Sequence, residues 1–207
     1  MTETDIHEIA ATRKAALWSA TAGLAQVLLV LSGEEAFPYL RNVLLAVGYG
    51  FILPAVAVLH VRNATVRQSG AILGSLAATA AVTVGIAGSL NVDARPAALF
   101  LLGSWWWTIG KMAAQNGTLP RRVGRLTAAL GALAFIAVPL EGFGPALVAV
   151  LPRSVADVLA QPYFSATHLV VGLWLLTVAA VFARDGSDRP RTGATIAPIT
   201  RADRSRR

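Results

Sequence analysis

The chain has 207 residues, of which 55% are hydrophobic and only 14% are charged, and its mean hydropathy is +0.59. Because about a quarter of the residues in an average soluble domain are charged, this composition predicts one membrane domain and leaves no room for a soluble one. The absence of cysteine excludes disulfides, thiolate metal sites, iron–sulfur clusters and cysteine nucleophiles.

Six apolar segments are long enough to span a bilayer, which takes about 20 mainly apolar residues each. The second contains Pro54, which predicts a kink because proline removes a backbone donor. The segment 145–160 is too short to span and predicts a short interfacial or re-entrant helix between the last two spans. The six predicted spans are residues 15–32, 42–60, 68–90, 97–115, 123–141 and 163–183.

The basic residues are distributed asymmetrically around these segments. Fifteen of the 18 Lys and Arg residues lie at the two termini or near the second and fourth connections between the segments. Only Arg41, Arg95 and Arg153 lie near the other three connections. Since Lys and Arg near helix ends are retained in the cytoplasm, the pattern predicts both termini there. It divides the chain into a cytoplasmic segment 1–14, a transmembrane domain 15–184 and a disordered basic tail 185–207.

The net charge of +7 is explained by this orientation and by attraction to anionic lipid heads, so lipid and not nucleic acid is the expected partner. Arg outnumbers Lys sixteen to two and Ala is abundant, a composition associated with bacteria. We therefore expect a multi-pass protein of the plasma membrane or bacterial inner membrane.

Small residues dominate one face of the third segment. Such faces allow close contact between helices, either inside the bundle or with a second copy or a partner subunit. The small face consists of Gly70, Gly74, Ala78, Ala81, Gly85 and Gly88.

In the second segment, Val47-Gly48-Tyr49-Gly50 matches the core of a potassium-channel filter, but its position within a helix favours a packing role.

Aromatic residues lie at unusual depth in the fourth and sixth segments. Trp105, Trp106 and Trp107 are adjacent, and Trp174 lies at a similar depth, whereas interfacial Trp normally lies at the headgroups. The rings either pack or contact lipid, or form a pocket for a flat apolar ligand such as a quinone, a carotenoid or a lipid tail. Lys111 follows Trp107 on one helix face and either reaches the interface or binds an anionic group.

Ionisable residues converge on the outer side of the predicted bundle. Glu34 and Glu35 end the first span, Glu141 ends the fifth, and His168 lies within the sixth at similar depth. Because intramembrane ionisable groups are costly, such a set predicts a polar pocket that opens outward, with Trp107 or Trp174 as its apolar floor. It would suit a cation, a proton or a small polar ligand.

These features favour a protein of ligand-binding or transport type. The predicted ligand-binding residues are His168, Glu141, Glu34, Glu35, Trp107, Trp174 and Lys111, whereas no catalytic residue is predicted and the ligand, any metal and any cofactor stay unassigned. The alternatives are a non-catalytic subunit of a larger membrane complex and, less favoured, a membrane-embedded enzyme in which His168 and the glutamates surround a substrate.

Overall fold

The computed structural model describes residues 3–32, 38–88, 95–142 and 163–188. Within these residues every regular element is an α-helix, and there are seven. They are α1 (Glu3–Leu31), α2 (Pro38–Gly50), α3 (Leu53–Ala64), α4 (Gln68–Gly88), α5 (Arg95–Asn116), α6 (Arg121–Gly142) and α7 (Tyr163–Asp188).

Four segments of the described chain are long and apolar enough to cross a membrane. The chain is therefore helical and has the character of a membrane protein. One of the four segments combines α2 and α3, which together correspond to the second predicted span. The segments are His7–Leu31, Tyr39–Ala64, Gln68–Ala87 and Ala166–Gly186.

The predicted boundaries differ from the observed ones in three places. Helix α1 begins at Glu3, so most of the predicted N-terminal segment is helical, and α7 continues to Asp188, into the predicted tail. The second predicted span is interrupted at residues 51 and 52, just before Pro54 in the first turn of α3. The predicted interfacial helix at 145–160 and the tail beyond 188 lie outside the described residues.

Helices that pack side by side in the bundle run in opposite directions. Helices α1 and α7 are antiparallel, since Arg13 contacts Gly186 whereas Gln26 contacts His168. In the other neighbouring pairs, two contacts likewise run in opposite order along the two helices: Trp18 with Phe51 and Gln26 with Gly48, Tyr49 with Gly85 and His60 with Ser75, Gly70 with Met112 and Gly74 with Ile109, and Gly103 with Gly131 and Gly110 with Gly124.

The alternation gives the bundle two ends with different charge. One end contains the start of α1, the α3–α4 and α5–α6 connections, and the end of α7; we call it the basic end. It carries nine of the eleven Lys and Arg residues of the described chain, whereas Arg41 and Arg95 lie at the opposite end. The nine are Arg13, Lys14, Arg62, Arg67, Lys111, Arg121, Arg122, Arg125 and Arg184.

Glycines allow the backbones of α5 and α6 to touch. Gly103 and Gly110 on α5 face Gly131 and Gly124 on α6, with a spacing of seven residues on each helix. A Cβ at Gly131 would lie 2.7 Å from the carbonyl oxygen of Gly103, closer than any real side chain permits. This spacing keeps the four glycines on one seam between two antiparallel helices.

A similar close approach joins α1 to α7. A Cβ on Gly23 would lie 2.8 Å from the carbonyl oxygen of Gly172, and the reciprocal distance is 2.9 Å. Bulky rings fill the space between this pair and the α5–α6 pair: the Trp174 ring lies 5.3 Å from those of both Trp105 and Trp106. The interior therefore contains two kinds of contact: backbone against backbone where glycines meet, and indole rings packed together between the two helix pairs.

The small-residue face of α4 packs inside the bundle. Gly70 lies against the sulfur of Met112, Gly74 against Ile109, and Gly85 against the ring of Tyr49, while Ala78 and Ala81 are fully buried. The contact that sequence analysis left open is therefore one within the chain. The side of α4 that carries Ile72, Leu73 and Leu76 is exposed instead.

The α5–α6 seam can be tested with a matched pair of alanine substitutions. Gly131→Ala places a methyl group against the backbone of α5 and should lower stability by about 1–3 kcal/mol through overpacking. Gly74→Ala meets its nearest neighbour at 3.5 Å, which is ordinary contact, and should be neutral or stabilising because alanine favours helix. Thermal unfolding in mild detergent measures both; equal melting of the two variants would refute the close seam.

Candidate functional site

His168 lies inside the bundle in the second turn of α7. Its side chain is only 2% exposed, and its Nδ1 forms a short hydrogen bond with Oε1 of Gln26 on α1. The ring of Tyr49 on α2 stands edge-on to the imidazole, with 6.3 Å between ring centroids. Three helices of the bundle therefore meet at one buried polar centre.

Two glycines create the space that this centre occupies. A Cβ on Gly48 would lie 2.7 Å from Nε2 of Gln26, so a larger residue there would displace the amide. Gly85 on α4 similarly receives the face of the Tyr49 ring. The Val47-Gly48-Tyr49-Gly50 sequence thus contributes packing, which is the role that its position within a helix predicted.

The hydrogen bond defines the chemistry of the imidazole. Because the amide oxygen of Gln26 only accepts hydrogen bonds, the neutral ring donates through Nδ1–H, and Nε2 becomes the basic nitrogen. The side-chain amide nitrogen of Gln26 is also buried, and it has no hydrogen-bond partner. A buried polar group of this kind normally requires a water or another acceptor, so the centre can hold a small polar molecule.

The glutamates predicted to complete this pocket lie at or beyond the limits of the described residues. Glu34 and Glu35 lie outside the described residues, and the backbone of Glu141 lies in the last turn of α6 while its side chain is not described. Within the described residues, no three His, Asp or Glu side chains come together as a metal site would require.

The predicted apolar residues occupy two different environments. Trp107 is 37% exposed on the outside of α5, where Nζ of Lys111 lies 3.9 Å from the centre of its ring. This cation–π contact explains how a charged side chain is accommodated on an apolar helix. Trp174 is instead buried, and its indole N–H donates to Oγ1 of Thr127 at 2.9 Å.

A groove of about 160 Å³ opens beside the tryptophans, between α5, α6 and α7. Its lining is almost entirely apolar, with Thr167 as the polar exception. It lies in the half of the bundle that contains His168. The lining residues are Leu99, Trp106, Leu130, Leu133, Ala134, Ala166, Thr167, Val170 and Val171.

Known proteins offer no guide to this site. No protein-family model matches the chain, and no curated protein or solved structure is similar to it.

Sequence analysis missed a row of buried polar residues on α1. Thr12, Ser19 and Gln26 recur every seven residues and are 3%, 0% and 0% exposed. The signal was present in the sequence, since a spacing of seven places three polar residues on one helix face. The row went unrecognised because Thr12 falls in the predicted segment 1–14, outside the first predicted span, and because Gln26 taken alone does not predict a row.

The row reaches a charged cluster at the basic end. Thr12 Oγ1 accepts a hydrogen bond from Arg62 at 3.4 Å, and Arg62 forms a 2.7 Å salt bridge with Asp185 on α7. The Arg62 guanidinium also lies over the ring of Phe182, 5.3 Å from its centre. Nearby, Arg13 donates to the carbonyl oxygen of Gly186, so α1, α3 and α7 are tied together at this end.

Proposed function

We propose that the chain is a six-pass protein of the plasma membrane or bacterial inner membrane, of ligand-binding or transport type. Both termini lie in the cytoplasm, and the functional site is a polar pocket around His168 that opens to the outer side and takes a proton, a cation or a small polar ligand. The single observation that carries the proposal is the burial of His168 against Gln26 inside an apolar bundle.

Helix direction and charge support the topology. Six passes in alternating directions bring the start of α1 beside the end of α7, in agreement with the contact between Arg13 and Gly186. The accumulation of Lys and Arg at the same end supports its assignment to the cytoplasm. On this orientation His168, one turn and a half from the start of α7, lies in the outer half of the membrane.

Energetics support a functional role for the polar centre. An imidazole and an amide are costly to place in hydrocarbon, and a bundle that needed only stability would fill this position with apolar side chains. Polar groups retained in membrane interiors commonly mark ligand or proton pathways. Glu34, Glu35 and Glu141 are proposed to extend the centre toward the outer surface.

Cysteine labelling tests the topology, because the chain contains no native cysteine. A single cysteine at Thr118, in the α5–α6 connection, should react with a membrane-impermeant maleimide only after the cytoplasmic side is exposed. A cysteine at Tyr39, which is 86% exposed at the opposite end, is the matched control and should react from outside. Labelling of the position-118 cysteine from outside would overturn the orientation.

Acylation by diethylpyrocarbonate tests the pocket, because the reagent modifies neutral imidazole. In lipid nanodiscs, His168 should be modified while the protein is folded, more slowly than the exposed His7. If Glu141 faces the pocket, Glu141→Gln should accelerate the reaction, since a nearby carboxylate favours the unreactive imidazolium. Glu8→Gln, at the basic end, should not.

Peptide mass spectrometry reads the modification at each histidine separately. Failure of His168 to react until the protein is unfolded would mean that the polar centre is sealed, and the proposed site would then be wrong.

A further inference from the structure

The polar row on α1 has buried groups that the bundle itself does not satisfy. Ser19 Oγ and Gln26 Nε2 are buried without a hydrogen-bond partner, and so is Nε of Arg62, which adjoins Thr12. Unpartnered buried polar atoms are rare and usually indicate ordered water. Within the described residues these three atoms lie along one line, from the polar centre to the basic end, whereas the other such atoms belong to the indoles of Trp105 and Trp106 and to the amide of Asn116 on α5.

Small side chains accompany this line. The residues between the polar positions on the same face of α1 are Ala15, Ala16, Ala22 and Gly23, all of them buried. Successive polar residues are separated by about 10.5 Å along the helix, a gap that two or three hydrogen-bonded waters can bridge. The whole row, from Thr12 to Gln26, covers about 21 Å, or two thirds of a hydrocarbon core.

We propose that this row is a proton path that connects His168 to the Arg62–Asp185 pair at the basic end. The proposal rests on the proposed function and assigns the proton as the species that its polar centre takes. Among the described residues, the row itself carries no carboxylate, and its hydroxyl and amide groups are too far apart to surround a metal cation. Protons can nevertheless cross such gaps through water.

The transfer makes and breaks only N–H and O–H bonds. His168 takes a proton at Nε2 from the outer side and becomes an imidazolium. A water near Gln26 then accepts the Nδ1 proton, and the neutral ring keeps the proton on Nε2. The proton moves from water to water past Ser19 and Thr12 and leaves through the solvent around Asp185, whose side chain is 39% exposed. No electron moves, and the ring returns to its neutral form.

The charged and titratable groups along this route are few among the described residues. Tyr49 faces His168 from α2, while Arg13, Arg62 and Asp185 surround the inner exit. The salt bridge keeps Arg62 beside Asp185, so the carboxylate prevents the guanidinium from acting as an isolated positive charge that would repel protons.

Proton flux into proteoliposomes tests the path. The full chain is reconstituted with a trapped pH dye, and valinomycin with a potassium gradient drives protons inward. The matched variants are Ser19→Val and Ser19→Thr, which have nearly the same volume but differ in the hydroxyl. We expect wild type and Ser19→Thr to acidify the lumen and Ser19→Val to fall to the rate of protein-free vesicles. Thr21→Val, which removes a hydroxyl bonded within its own helix to Leu17, should keep the flux.

Equal flux in Ser19→Val and Ser19→Thr, or no wild-type flux above that of protein-free vesicles, would overturn the path. Either result could coexist with acylation of His168, in which case the outer polar site would survive without the path. If His168 is also inert to diethylpyrocarbonate, both proposals fail.

A thiol readout keeps the test decisive if a variant folds poorly. A single cysteine at Ser19 should react with methyl methanethiosulfonate in nanodiscs, because a hydrated thiol can form the reactive thiolate. A cysteine at Ala78, equally buried on α4 but away from the row, is the control and should stay unreacted. Equal reactivity at the two positions would show that the row is dry and would overturn the proposal.

Discussion

The hydrogen bond between His168 and Gln26 is the interaction on which the arrangement of the bundle depends. Hydrocarbon offers no partner for an imidazole or an amide, so each must find the other inside the protein. This requirement brings α1 against α7 in a defined register. The glycine contact between Gly23 and Gly172 has the same register, so close packing and polar pairing reinforce one another.

In the rest of the interior, the size of the side chains decides how closely two helices approach. Where glycines meet, as between Gly110 and Gly124, the helix backbones touch; where they do not, the indoles of Trp105, Trp106 and Trp174 fill the gap. Dispersion and close contact replace the hydrophobic effect as the force between helices in lipid. The polar row on α1 adds buried polar atoms without partners to this packing, as do the indole N–H groups of Trp105 and Trp106.

The sequence predicted the helices but not the pairing of the buried polar residues. Apolar length and the position of Pro54 were sufficient to locate the helices and the interruption between α2 and α3, because both are local properties. The pairing of Gln26 with His168 joins residues 142 positions apart and depends on which faces meet, which local patterns do not encode. For the same reason Trp107 and Trp174, which the sequence places at similar depth, differ in environment.

A double-mutant cycle on Gln26 and His168 tests the central interaction most directly. Unfolding of the chain in mild detergent is measured for Gln26→Leu, His168→Leu and the double variant. Each single substitution leaves a buried polar partner unsatisfied and should cost about 1–3 kcal/mol. The double variant should lose clearly less than the sum, because neither polar group remains. Additive losses would contradict the account, since they would mean that the two side chains do not satisfy each other in the membrane.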